Sequence, residues 1–227
     1  MSFYAVAKGH NIGIYNFWND CKEQVVGYKG AIHKKFTNEK DAENFILNCN
    51  NTKSEFFENL YSKFDLEDVN YYIYTDGSCY NNGKENSLAA IGIYFGFNNA
   101  NVSRIIESNN YKHTNNSAEL TAIIECYKII ENDLKNGKKI CIFSDSDYSI
   151  KCATSYGEKC AKMNWIKDIP NKELVKELYN IYSNSSNLII KHIKAHTNSK
   201  DIHSIGNANA DKLAYSAIEK YLNNLII

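Results

Sequence analysis

Residues 71–78, YYIYTDGS, set the reading of the whole chain. Aromatic and β-branched residues run up to an acid and a glycine, the pattern of a strand that delivers Asp76 to its carboxyl end. LAAIGIYFGF (88–97) and VSRIIESNN (102–110) read as two further strands. With turns at Asn81 to Lys84 and Asn98 to Asn101, the three form an antiparallel meander. Residues 117–135 then place Ala118, Ala122, Ile123, Cys126, Ile130 and Leu134 on one helical face, and Gly137 suits the position just past the helix end.

Downstream, KKICIFSD (138–145) is a short buried strand and DYSIKCATSY (147–156) a short helix. Residues 171–183 form a helix capped by Asn171, NLIIKHIKAH (187–196) is the last strand, and 206–223 is the last helix. The order β-β-β-α-β-α-α-β-α implies a mixed α/β sheet with helices on its faces.

Upstream of residue 71 the chain changes twice. Residues 3–7 (FYAVA), 12–15 (IGIY) and about 31–36 read as strands, 18–26 has helical character, and 38–48 is a helix opened by Thr37 or Asn38. Residues 1–48 therefore make a small α/β module. Residues 49–70 are an acidic linker, yet Phe56, Phe57, Leu60, Tyr61 and Phe64 recur at helical spacing, so a short docked amphipathic helix over 54–64 is the alternative to a free tether. The rest, 71–227, is one domain.

The formal net charge is zero. That total conceals a division, because residues 1–37 carry five lysines against Asp20 and Glu23, a net of about +3. Residues 51–70 carry two lysines against five acids, about −3. Seven cysteines, odd in number and without a C-x-x-C pair, argue against a disulfide framework and against a zinc site. Neither a membrane span nor a targeting segment is legible, and a cytoplasmic protein is the expectation.

Four acids stand out by position. Asp76 and Asp145 end strands, Glu119 falls in the first turn of the helix begun by TNNSAEL (114–120), and Asp211 lies in NANADKLA (207–214) of the last helix. Each alone reads as a turn, cap or solvated residue, as Glu125, Asp147 and Glu219 do. Together they would meet at the carboxyl end of the sheet if the two strands are adjacent and parallel. Such a group repels itself unless cations neutralise it or protons bind, and oxygen ligands without Cys or His suit Mg²⁺ or Mn²⁺.

The segments YTDGSC with NNG shortly after, TNNSAEL, FSDS, and the pair KAH and ANADKLA resemble the type 1 ribonuclease H family over about residues 70–222. The resemblance implies a ribonuclease H-like mixed five-stranded sheet flanked by helices. It also implies endonucleolytic hydrolysis of the RNA strand of RNA–DNA hybrids by a two-metal mechanism, leaving 3′-hydroxyl and 5′-phosphate ends. The family's Asp-Glu-Asp-Asp metal site falls on Asp76, Glu119, Asp145 and Asp211, with two Mg²⁺ per site and Mn²⁺ as a substitute. His196 looks like the family's loop histidine, which helps proton transfer or product departure. His203, in the same polar loop, has no family role. Asn115 and Asn116 match RNA-contacting positions, and Thr114, Asn171 and Lys112 match a phosphate pocket for the DNA strand. Lysine there holds phosphate as a point charge rather than a fork. The basic, tryptophan-rich handle of many relatives is reduced to GEKCAKMNWIKDIP (157–170), which implies a weaker grip.

The module at 1–48 resembles the hybrid-binding (viroplasmin-like) domain that opens many such enzymes, through FYAVAKG, Gly13, Trp18, GYKGA and KKFTNEKDAENFI. Tyr4, Trp18, Lys34 and Lys35 match its stacking and phosphate-holding positions, while His33 replaces a further aromatic. The implied partner is an RNA–DNA hybrid, with double-stranded RNA as a further ligand of this module, no membrane, and a monomeric enzyme. Two alternatives remain open: a non-catalytic hybrid or dsRNA-binding protein, and another nuclease of the same fold.

Overall fold

The computed structural model describes residues 2–51, 63–96, 101–107, 110–194 and 201–224. The chain divides into two units, Met1–Ser62 and Lys63–Ile227.

In the smaller unit, β1 (Phe3–Lys8) lies between β2 (Gly13–Tyr15) and β3 (Ile32–Phe36) in an antiparallel sheet. Helices α1 (Trp18–Val25) and α2 (Glu39–Asn51) cover its two faces: Tyr4 meets Trp18 of α1, while Phe36 meets Phe45 of α2. Ala5, Val6, Ala7, Cys21 and Ala42 are buried between these layers. Of the two candidate caps for α2, Asn38 does the work, its Oδ1 accepting from the Lys40 N–H at 2.9 Å.

The larger unit is a five-stranded mixed sheet in the order β6-β5-β4-β7-β8. β4 (Tyr71–Tyr80), β5 (Leu88–Tyr94) and β6 (Val102–Ile105) form the antiparallel meander. β7 (Ile140–Ser144) and β8 (Leu188–His192) run parallel to β4. β7 is buried at every position, as expected of a strand covered on both faces.

Helix α3 (Asn115–Lys135) lies on one face, with α4 (Asp147–Ala153) and α6 (Lys172–Asn184) packed beside it. The last helix, α7 (Ile202–Asn224), covers the other face. Two glycines set how closely these helices approach. A Cβ at Gly77 would fall 2.2 Å from the Glu119 nitrogen of α3, and one at Gly92 would fall 2.0 Å from the Ala210 oxygen of α7. The six residues expected on the buried face of α3 are all buried, and Leu120, Thr121 and Ile124 join them because α3 has packing partners on two sides.

Several expectations need correction. α3 begins two residues before the expected start at Ser117, with Thr114 as N-cap in a reciprocal pair with Ser117. Glu119 therefore stands in the second turn, not the first. Asn171 precedes α6 but does not cap it: its backbone is left-handed (φ 56°), and its Nδ2 donates to the Tyr148 hydroxyl at 3.4 Å instead. Within the reduced handle a further helix, α5 (Ser155–Lys162), is packed against α4 by Gly157. His203 lies in the first turn of α7 rather than in a loop.

Residues 54–62 of the expected amphipathic helix lie outside the described residues. Just after them, Phe64, Leu66 and Val69 pack against the cluster of Tyr74, Tyr94, Cys141, Phe143, Ile189 and Ala210. Lys63 donates to the carbonyls of Tyr182 and Ser185 at the end of α6.

Candidate active site

The parallel ladder between β4 and β7 ends at the pair Thr75–Ser144. Asp76 and Asp145 are the next residues on each strand, so both carboxylates emerge where the ladder stops. β4 itself continues to Tyr80 through its antiparallel pairing with β5, which puts Asp76 in mid-strand and 7% exposed. Glu119 enters from α3, brought over β4 by the missing side chain at Gly77. Oxygen atoms of Asp76, Glu119 and Asp145 all lie within 4.8 Å of one another. Asp211, on α7, stands outside that trio, but its charge reaches Asp76.

Burial, then the charges of Asp145 and Asp211, push the Asp76 carboxyl up to about 7, against hydrogen bonds from Glu119 and the Gly77 N–H. Burial, then the charges of Asp76 and Asp145, raise the Glu119 carboxyl well above the ordinary range. As a residue Glu119 is only half-buried, yet its Oε2 is sealed from solvent and has no hydrogen-bond partner. Three acids gathered around an unsatisfied carboxylate oxygen call for neutralisation, by protons or by a cation. The donor set is all oxygen, so the residues present fit a hard divalent ion.

This has a consequence for stability. Asp76 is raised from an ordinary value of 3.8 to about 7, so its contribution is full in acid and is lost as pH rises through 7. Metal-free protein is expected to melt at a lower temperature at pH 8 than at pH 5. A divalent ion should raise Tm more at pH 8, where it competes with fewer protons. Melts in chelator and in excess Mn²⁺ check this, and identical pH profiles in the two conditions would contradict it.

Between the starts of α3 and α6 lies a cavity of about 1000 Å³ whose lining includes Lys112, Thr114, Asn115, Asn116 and Asn171 but none of the four acids. All five expected substrate contacts therefore share one depression. The Lys112 ammonium rests on the Gly83 carbonyl at 3.2 Å, and the Asn115 N–H donates to Asn82 Oδ1 at 3.3 Å. His196 lies outside the described residues.

In the smaller unit Trp18 is 43% exposed, not a core residue. Its ring centroid lies 5.7 Å from that of Tyr4 and 5.6 Å from that of His33, so the three form a row across β1, α1 and β3. Lys35 shares that face, with its ammonium 5.5 Å from the Tyr4 ring. Lys34 alternates to the other face and sits over Phe36.

Sequence reading missed two residues here. Asn207 Nδ2 donates to Asp145 Oδ2 at 3.0 Å. Its spacing of four from Asp211 was the available signal, since it places both on one helical face. His203 packs its ring 4.4 Å from that of Phe143 and pairs its Nδ1 with the Tyr74 hydroxyl at 3.0 Å, which fastens the start of α7 to the sheet. Nothing in its polar flanks pointed to that.

The fold recurs in solved structures of foamy virus protease–reverse transcriptase. A selenomethionine-labelled mutant of the prototype foamy virus protein aligns at TM-score 0.54 and 26% identity, over 66% of this chain and 21% of that one. A complex of the foamy viral protein with RNA/DNA hybrid aligns at TM-score 0.54 and 19% identity, over 68% and 20%. Residues 68–219 match the RNase H family model, and residues 2–46 match the ribonuclease H1 N-terminal domain. The chain belongs to the ribonuclease H family and is an enzyme of that family, a nuclease. It is 27% identical to a ribonuclease H of Schizosaccharomyces pombe, covering 94% of this chain and 96% of that one. Ribonuclease H1 of Rattus norvegicus is 26% identical over 93% and 87%. A ribonuclease H of Saccharomyces cerevisiae is 30% identical over 88% of this chain and 63% of its own length. No helix among the described residues is long and apolar enough to cross a membrane.

Proposed function

We propose that the enzyme hydrolyses the RNA strand of RNA–DNA hybrids at internal positions, using two Mg²⁺ ions and leaving 3′-hydroxyl and 5′-phosphate ends, with Mn²⁺ as a substitute. The observation that carries this reading is the Asp76–Glu119–Asp145 trio at the end of the parallel ladder, with its orphaned Glu119 oxygen. Asp76, Glu119 and Asp145 would hold the ions, with Asp211 completing the set from α7. Bound there, the ions would activate water and offset charge developing on the scissile phosphate.

The chain's own groups do the rest. Asn115 and Asn116, in the first turn of α3, offer small polar side chains suited to 2′-hydroxyls in a shallow minor groove. Lys112, Thr114 and Asn171 offer a charge and two polar groups to a DNA phosphate across the same cavity. His196 assists proton transfer or product departure.

In this reading residues 1–48 are the hybrid-binding domain, able to take double-stranded RNA as well. Tyr4, Trp18 and His33 stack on the DNA strand, while Lys35 on that face attracts its phosphates and Lys34, on the other face of the edge strand, adds positive charge. Residues 49–70 connect this domain to the catalytic domain at 71–227, and their last residues are already fastened to the larger unit. The enzyme works as a cytoplasmic monomer. Tethering raises the effective concentration of hybrid at a catalytic domain whose own handle is short. Deleting residues 1–50 is accordingly expected to raise KM about tenfold or more, with kcat changed far less, and to flatten its salt dependence. Steady-state kinetics at two salt concentrations check this, and an unchanged KM would sink the tethering role.

The direct test uses Mg²⁺ and four end-labelled duplexes: RNA–DNA, RNA–RNA, DNA–DNA, and DNA with one embedded ribonucleotide. Cutting confined to the RNA of the hybrid is the expected result. Cutting of DNA–DNA would favour another nuclease of this fold, and binding without cutting a non-catalytic role.

A further inference from the structure

The last helix brings a second polar side chain to the carboxylates, one that the reading above does not use. Asn207 is 4% exposed and lies four residues before Asp211 on α7. Its amide is half satisfied: Nδ2 donates to Asp145 Oδ2 at 3.0 Å, while Oδ1 is sealed from solvent with no hydrogen-bond partner. Folding alone gives no reason to keep such a group, because an apolar side chain of similar volume would fill the space without an orphaned acceptor. The helix is also held unusually close here. A Cβ on the preceding residue, Gly206, would fall 2.3 Å from the Tyr74 ring, so α7 rests directly on β4 and carries Asn207 into the site.

We propose that Asn207 is a positioning residue for the divalent-ion site. Its Nδ2 holds one oxygen of Asp145, which restrains the orientation of a carboxylate that would bind the ion. Its Oδ1 is an acceptor that the folded chain does not satisfy, as expected of a group whose partner arrives when the site fills. Hydrogen bonds of this kind behind a ligand typically change metal affinity or activity about 10- to 100-fold. The inference rests on the trio being a metal site.

The test is calorimetric titration of Mn²⁺ into full-length wild type, Asn207→Leu and Asn207→Ala, with melts in metal-free buffer and kcat and KM on a hybrid. In Asn207→Leu the metal-free Tm should equal or exceed that of wild type, because the orphan is gone. Mn²⁺ affinity should fall about 10- to 100-fold, kcat should fall in the same range, and KM should stay unchanged. A residue that only packs would move these the other way, lowering Tm and sparing affinity. Mn²⁺ affinity within about twofold of wild type in both variants overturns the proposal, and Asn207→Ala alone decides if the leucine variant does not fold. Wild type that binds no Mn²⁺ would instead overturn the metal-site reading beneath it.

Discussion

Asp145→Asn is expected to lose hybrid cleavage by about 10³-fold or more in kcat, the loss of several kcal/mol of transition-state stabilisation. The substitution keeps the shape of the side chain and removes one of the three carboxylates in mutual reach. What it removes is negative charge, and that charge is one of the forces raising both Asp76 and Glu119. The metal-free variant should therefore melt at a higher temperature than wild type while binding divalent ions more weakly. Opposite movement of stability and activity is the mark of a group retained for chemistry at a cost to the fold. Cleavage assays and melts on the same preparations check this. Activity within about tenfold of wild type would mean that Asp145 is not a metal ligand, and the reading of the site would fall with it.

The two strands that carry Asp76 and Asp145 were legible because buried strands write their apolar residues as short continuous runs bounded by polar residues. The parallel adjacency that makes them meet was expected only conditionally, since pairing between distant segments leaves no local trace. Helix ends were harder. The apolar stripe of α3 starts at Ala118, but the helix starts at Asn115, because Thr114 and Ser117 satisfy the first backbone donors with polar groups that periodicity does not see. That offset is why Glu119 falls a turn later than expected. Asn171 shows the reverse failure: the residue type is right for a cap, but its side chain is drawn to Tyr148, a partner 23 residues away. Asn207 and His203 share the same difficulty. Their partners, Asp145 and Tyr74, lie on other elements, so their roles exist only once the helix is docked.

Gly77→Ala is the second substitution with a large expected effect, and it tests the architecture rather than the chemistry. The added methyl would fall 2.2 Å from the Glu119 nitrogen, 2.3 Å from the Ala118 carbonyl carbon and 2.8 Å from the Ala118 Cβ. Two of those atoms are backbone, so no side-chain rotation relieves the contact and α3 must move off β4. Overpacking of this kind costs about 1–3 kcal/mol or more. The movement carries Glu119 away from Asp76, and misplacement of a catalytic group by about 1 Å costs about 10²-fold in rate. The Gly77 N–H, which donates to both carboxylates, shifts as well.

Gly137→Ala provides the contrast. Gly137, just past the far end of α3, has φ +83° with nothing within 4 Å of an added Cβ, so alanine there should cost about 1 kcal/mol of backbone strain and leave kcat unchanged. Melts and steady-state kinetics on both variants separate the two cases. If Gly77→Ala melted within about 1 kcal/mol of wild type with full activity, α3 would have to tolerate a gap at its closest point of contact. The idea that an absent side chain sets the depth of the carboxylate trio would then be untenable.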